Sequence, residues 1–270
     1  MSTATSVSRM SMITITRKIK NKFLNNAAPQ KDYTQWNGYR LPMPENRYCT
    51  PEFKDDNYFV NSSKKEVDRL VEYANLKEGS RVLDIGSGQG RLAIGLAHFF
   101  PKLDSYFGLD VDRHSVDWCK RNISSVQENF NFLHLDIENE RYNPNGYKLD
   151  TPVQLPFKDN SFDIIFLYSV FTHMRSKDVK FYLSEIKRML AKDSYVLFTA
   201  YSEENCENES ENPKGYLEDE YGQSLGALHR IRFSQSYWTE MIDDAGFRID
   251  NFFHQCEKVT KQSIYIIKHK

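Results

Sequence analysis

Three carboxylates, three alternating glycines and two histidines are the residues of this chain best placed to do chemistry. The run Val82-Leu83-Asp84-Ile85-Gly86-Ser87-Gly88-Gln89-Gly90-Arg91 passes from apolar residues through an acid into a glycine turn. Glycines in such a turn let bare backbone approach a ligand that a Cβ would hold away. Asp110 and Asp136 each end a later apolar run. Asp110 falls about 20 residues past the turn, where an acid takes both hydroxyls of a ribose. Asp136 is a further carboxylate at a strand end, with the apolar Ile137 beside it. Asp112 is a substitute for Asp110. Each acid also has a plain structural alternative, as a buried turn acid or a helix N-cap. For proton transfer the candidates are His173, in Ser169-Val170-Phe171-Thr172-His173-Met174, and His229, just ahead of Arg230 and Arg232. Tyr201 is a third candidate and equally a pocket wall.

These residues need a scaffold that brings them together, and the pattern predicts one. Ser63 to Glu66 has the form of a capping box, opening a helix with Val67, Leu70, Val71 and Ala74 on its apolar side and Gly79 as its stop. Strands are expected at 81–85, 105–109, 130–135, 162–168 and 194–200. Helices are expected at about 90–100, 113–123, 178–190 and 234–245, the third on Val179, Leu183, Ile186 and Leu190 at helical spacing. Two strands, 247–253 and 263–268, close the chain back to back. Alternating strands and helices predict an α/β fold: a seven-stranded, Rossmann-like doubly wound sheet, mostly parallel with an antiparallel C-terminal hairpin. In such a sheet ligands sit at the carboxyl ends of the strands, where the listed acids fall.

With an acid two residues ahead of a G-x-G-x-G turn, the chain resembles the class I S-adenosylmethionine-dependent methyltransferases from about Ser63 to Lys268. Tyr142-Asn143-Pro144 with Gly146, Leu155-Pro156-Phe157 and the Ser169–His173 run resemble a bacterial-type branch acting on small molecules. The resemblance implies S-adenosyl-L-methionine as cofactor and S-adenosyl-L-homocysteine as product. It implies a cofactor site of Asp84, Gly86, Ser87, Gly88, Gly90, Asp110, Val111, Asp136, Ile137 and Ser169, with no metal. It places the acceptor at the loop after the fourth of these strands, beside His173. The family usually has a Gly-Gly turn before the next strand, and here Asp193-Ser194 stands there.

Two other classes compete. A nicotinamide-dependent oxidoreductase would want G-x-G-x-x-G, yet Arg91 occupies the third glycine position, and the terminal hairpin also argues against it. A non-catalytic, methyltransferase-like binding subunit would keep the cofactor residues and lose the acceptor site. The acceptor is expected to be a small molecule offering a hydroxyl, such as a sugar, lipid precursor or secondary metabolite. The run after the fourth strand lacks the Asn/Asp-Pro-Pro-aromatic pattern of enzymes that methylate base amino groups, and no cysteine stands there for cytosine C5 chemistry.

Charge supports that exclusion of nucleic acid. Net charge is −1, but residues 1–31 carry six basic residues and no acid, leaving 30 basic against 37 acidic residues beyond them. An acidic body is a poor match for a phosphate backbone. The four cysteines (Cys49, Cys119, Cys206 and Cys256) form no metal-ligand or disulfide pattern, which reads as a reduced, cytoplasmic setting. No apolar run is long enough for a transmembrane segment. Residues 1–31 read as a disordered basic arm; an organelle-import signal or a peripheral membrane contact through residues 10–24 are the other readings. Residues 32–62 are rich in aromatics and prolines and are expected to run extended across the body, with 63–270 forming the domain. Within it, an acidic insertion at 202–230 is expected either to cover the acceptor, with the Tyr33–Phe59 segment as opposite wall, or to lie solvated.

Overall fold

A computed structural model describes residues 31–47, 50–148, 154–216 and 226–270. The basic arm, up to position 30, lies outside the described residues, and so do its import and membrane readings.

The aromatic segment is more regular than its prolines suggest. Tyr33–Trp36 (β1) and Tyr39–Pro42 (β2) form an antiparallel hairpin turned by Asn37 and Gly38, both at positive φ. The prolines do not interrupt it: Pro42 ends β2, and Pro44 and Pro51 each open a short 3-10 turn, where a missing N–H costs nothing. The first helix, α1 (Asp56–Tyr73), begins a full two turns before the capping box. Asp55 caps it by accepting from the Tyr58 amide, whereas Ser63 lies inside the helix and donates to the Val60 carbonyl. A boundary at residue 62 would therefore cut a continuous helix. Its buried face is Phe59, Val60, Ser63, Glu66, Val67 and Leu70, which leaves Val71 exposed. Asn75, at φ 54°, makes the left-handed stop expected of Gly79.

The alternation that follows is as read. It runs β3 (Arg81–Ile85), α2 (Arg91–Phe99), β4 (Ser105–Asp110), α3 (Arg113–Cys119) and β5 (Phe130–His134). Then come β6 (Phe162–Leu167), α4 (Ser176–Met189) and β7 (Leu190–Glu203). Helix α4 passes straight into β7, and Asp193, at φ 60°, takes up the bend that a Gly-Gly turn would make. Glu209–Glu211 (β8) and Ile231–Ser234 (β9) precede α5 (Gln235–Asp244), β10 (Phe247–Phe253) and β11 (Ser263–His269).

The sheet has the order β10-β11-β7-β6-β3-β4-β5, with the first two strands antiparallel and the rest parallel. Strand β9 pairs onto the end of β7 and β8 pairs onto β9, which extends it beyond the expected seven. The chain therefore lays β4 and β5 on one side of β3 and β6 and β7 on the other, so the order reverses at β3, the place where such sheets open a crevice. Apolar residues pack on both faces, as buried parallel strands require. Helices α1, α2 and α3 cover one face with Leu70, Leu96 and Trp118, and α4 and α5 cover the other with Leu183, Ile186 and Trp238. No described helix is long and apolar enough to cross a membrane.

Candidate active site

A cavity of about 1610 Å³ opens at the carboxyl ends of β3, β4 and β6. A pocket for one small ligand is on the order of 300–1,000 Å³, so this one has room for two.

The glycine turn forms one end. Gly86 and Ser87 donate their amides to the Leu109 carbonyl at 2.7 and 3.1 Å, tying the turn to β4. A Cβ on Gly86, at φ 76°, would fall 2.3 Å from Val170 Cγ2, so only glycine fits between the turn and the loop after β6. Gly90 serves differently. A Cβ there would meet Ile123, and the residue is not part of the cavity wall. Its place is packing at the start of α2.

Asp84 follows Val82 on the same face of β3 and is 2% exposed. It accepts from the Tyr106 hydroxyl at 2.6 Å, and burial pushes its pKa up to about 7. Asp110 also lines the cavity. Its Oδ2 accepts from the Gly88 amide at 2.7 Å and its Oδ1 from the Asp112 amide at 2.8 Å. A carboxylate offers about four acceptor positions, so Asp110, with the Val111 amide also contributing, keeps capacity for a ligand hydroxyl. Burial raises its pKa against the pull of those amides. Asp112 is instead the N-cap of α3, accepting from the His114 and Ser115 amides.

The turn also holds an orphaned group. Ser87 Oγ is buried in the cavity wall with no hydrogen-bond partner among the described residues. A buried, unpaired hydroxyl costs on the order of 1–3 kcal/mol, which a polar ligand would recover. Bare backbone, an unpaired hydroxyl and a half-used carboxylate fit the ribose and amino-acid parts of S-adenosylmethionine. Val111 and Ile137 line the same space. Asp136 does not: it is exposed, accepts from Asn143 Nδ2 at 3.1 Å and stands outside the wall, which leaves Ile137 as the residue of that pair facing the cavity.

Ser169 links the two ends. It sits at φ 59°, a conformation uncommon outside glycine, and surrounding bonds hold it there. Its amide donates to Thr199 Oγ1 at 2.7 Å and its Oγ accepts from Gln262 Nε2 at 2.9 Å, while Thr199 donates to Gln262 Oε1.

The far end brings His173 and His229 to one wall. His173 Nδ1 lies 2.8 Å from the Leu228 carbonyl, so Nδ1 carries the proton and the neutral ring keeps its lone pair on Nε2. Burial is the main cause of its pKa falling to about 4, with positive charge at Arg141 adding to it. Tyr142 meets the His173 ring edge-on at 5.4 Å. Tyr201 is buried in the same wall.

Two further walls come from distant sequence. Thr50 to Phe53 and Val259 to Gln262 close the side nearest the turn, and Arg91 lies over the ring of Tyr168 at 4.5 Å. The aromatic segment thus does reach the cavity, as a wall on the side of the glycine turn. Three of the described acids of the 202–230 stretch are tied into the fold. Glu203 accepts from Tyr216, Glu209 from the Ser176 amide, and Glu211 from Arg175 and the Leu228 amide. Glu218, Asp219 and Glu220 lie outside the described residues.

Comparison with known proteins adds to this geometry. A family model described as a methyltransferase domain matches residues 83–198. The chain is 28% identical over 154 residues to an uncharacterized methyltransferase of Bacillus subtilis, YcgJ, covering 57% of this chain and 53% of that protein. It is 26% identical over 121 residues to an uncharacterized methyltransferase of Schizosaccharomyces pombe, covering 45% and 40%. The chain spans about half the length of these curated relatives or less. Among solved structures, a SAM-dependent methyltransferase from Methanosarcina mazei shares the fold with a TM-score of 0.52 at 18% identity, over 74% of this chain and 96% of that one.

Proposed function

We propose, from the premise that this chain carries a class I S-adenosylmethionine-dependent methyltransferase domain, that it transfers a methyl group to a hydroxyl of a small molecule. The observation that supports this best is a single cavity with the glycine turn and Asp110 at one end and His173 at the other. Bound there, S-adenosylmethionine supplies a methyl group on a sulfonium, open to in-line displacement.

The chain's own residues then have three tasks. Asp110 and the Gly86–Gly88 backbone hold the cofactor. Val170 and Ser169, fixed by Thr199 and Gln262, set the floor between the two ligands, where alignment matters most. His173 would accept the acceptor's hydroxyl proton at Nε2 as the oxygen takes the methyl group and the sulfonium leaves as a neutral thioether. Because its pKa is near 4, His173 is a weak base. It would take the proton as bond formation makes the hydroxyl oxygen more positive and its proton acidic, not beforehand. His229 lines the same wall as a second orienting group.

The test is turnover of a panel of hydroxylated metabolites with labelled methyl donor, comparing the wild type with His173→Asn, which can still donate to Leu228. A fall in kcat of about a hundredfold at unchanged cofactor affinity supports the role. Equal turnover removes His173 from it.

A further inference from the structure

Charges of both signs line the cavity, with Asp110 and Arg91 at the turn and Glu138, Glu140 and Asp178 beside Arg141, Arg175 and Arg230 at the histidine end. Those arginines are not equivalent. Arg175 is committed to Glu140 at 2.7 Å and to Glu211 at 2.9 Å. Lys148, nearby, is 3.6 Å from Glu138. Arg230 is 9% exposed and reaches the Tyr216 carbonyl at 3.5 Å.

Arg141 has no carboxylate at ion-pair distance among the described residues. Its guanidinium lies 5.5 Å from the Tyr142 ring centroid, and its Nη1 is 4.0 Å from where a Cβ on Gly226 would stand. It therefore reaches from the loop after β5 toward the loop before β9, over the wall that carries His173 and His229. A guanidinium in that position is suited to a planar or tetrahedral anion, which it binds with paired N–H donors.

We propose that the methyl acceptor is a small hydroxylated acid whose carboxylate or phosphate group is held by Arg141, so that the acceptor hydroxyl lies against His173. This rests on the methyl-transfer reading above. It makes Arg141 a specificity-determining residue, since a neutral analogue would leave the guanidinium unpaired beneath the ligand.

The experiment is arginine modification by phenylglyoxal of the full chain saturated with S-adenosylhomocysteine, with the extent at Arg141 read by mass spectrometry. Millimolar 4-hydroxybenzoate or inorganic phosphate should slow modification of Arg141 about tenfold, and neutral 4-hydroxybenzamide should not. Protection by 4-hydroxybenzoate alone assigns a carboxylate, and protection by phosphate assigns a phosphate ester. Equal protection by the amide, or none by either anion, overturns the proposal. Homocysteine-cofactor binding is measured on the same sample by calorimetry. Its failure strikes the methyl-transfer reading, while anion protection of Arg141 is still read in the cofactor-free chain.

Discussion

The turn end and the histidine end of the cavity are built in different ways. The turn end is short-range: Asp84 to Arg91 supply most of it, and Asp110 arrives one strand later, bonded back to Gly88. Backbone geometry dominates there, through left-handed glycines and amides aimed at carbonyls and a carboxylate. The histidine end is assembled from three separate loops, with His173, Leu228 and Arg141 meeting only in the folded chain. The first construction suits a ligand common to a whole family. The second can be altered one side chain at a time. That difference is what one expects of an enzyme with a shared cofactor and its own acceptor.

The largest contrast should appear in stability against pH, because each end buries one titratable group in its neutral form. Asp84 has its pKa raised to about 7 from 3.8 by burial. Between those values the folded chain keeps a proton that the unfolded chain loses, so stability falls as pH rises, by on the order of 4 kcal/mol in all. His173 has its pKa lowered to about 4 from 6.5. Across that window the unfolded chain binds a proton that the folded one refuses, so stability rises with pH, by on the order of 3 kcal/mol. The slopes oppose each other in the wild type. Denaturant titrations from pH 4 to 7 should show a rising curve for Asp84→Asn and a falling one for His173→Asn. Parallel curves would mean that the two ends are not buried as described.

Ligand binding sharpens the contrast. Asp110→Ala should weaken S-adenosylhomocysteine about a hundredfold by calorimetry, since one carboxylate bonds both a ligand and the turn. His173→Asn should change that affinity by less than about twofold, because its effect belongs to kcat. Gly86→Ala should cost about 1–3 kcal/mol of stability, from the clash with Val170 and the positive φ. Thermal unfolding reads this as a loss of several degrees. The smallest effect is expected from Asp136→Asn, within about twofold in cofactor affinity, as its carboxylate faces Asn143 and solvent. A tenfold loss there would return Asp136 to the cofactor site.

The turn end was legible in the sequence because its rules are local. Gly86, Gly88 and Gly90 all take left-handed φ, the conformation glycine adopts most easily. The parallel sheet was legible through its apolar periodicity, and Val179, Leu183, Ile186 and Leu190 are all fully buried as the spacing implied. The misreadings arose where one local signal competed with a stronger one nearby. Asp55 outranks Ser63 as a cap because the helix already has an apolar face at Phe59 and Val60. Asn75 ends the helix before Gly79 is reached. Asp136 has the right spacing, but its side chain turns outward while Ile137 turns in. The walls from Thr50–Phe53 and Val259–Gln262, and the bond from His173 to Leu228, carry no local pattern. They depend on contacts between segments distant in sequence, which no periodicity encodes.

The most direct test of the central claim, that the glycine turn and Asp110 form a methyl-donor site, is calorimetric titration of the full chain with S-adenosylhomocysteine, run beside NAD. One site of micromolar affinity for S-adenosylhomocysteine, with no heat from NAD, is the predicted result. A folded wild-type chain that binds NAD instead, or neither ligand, would contradict it.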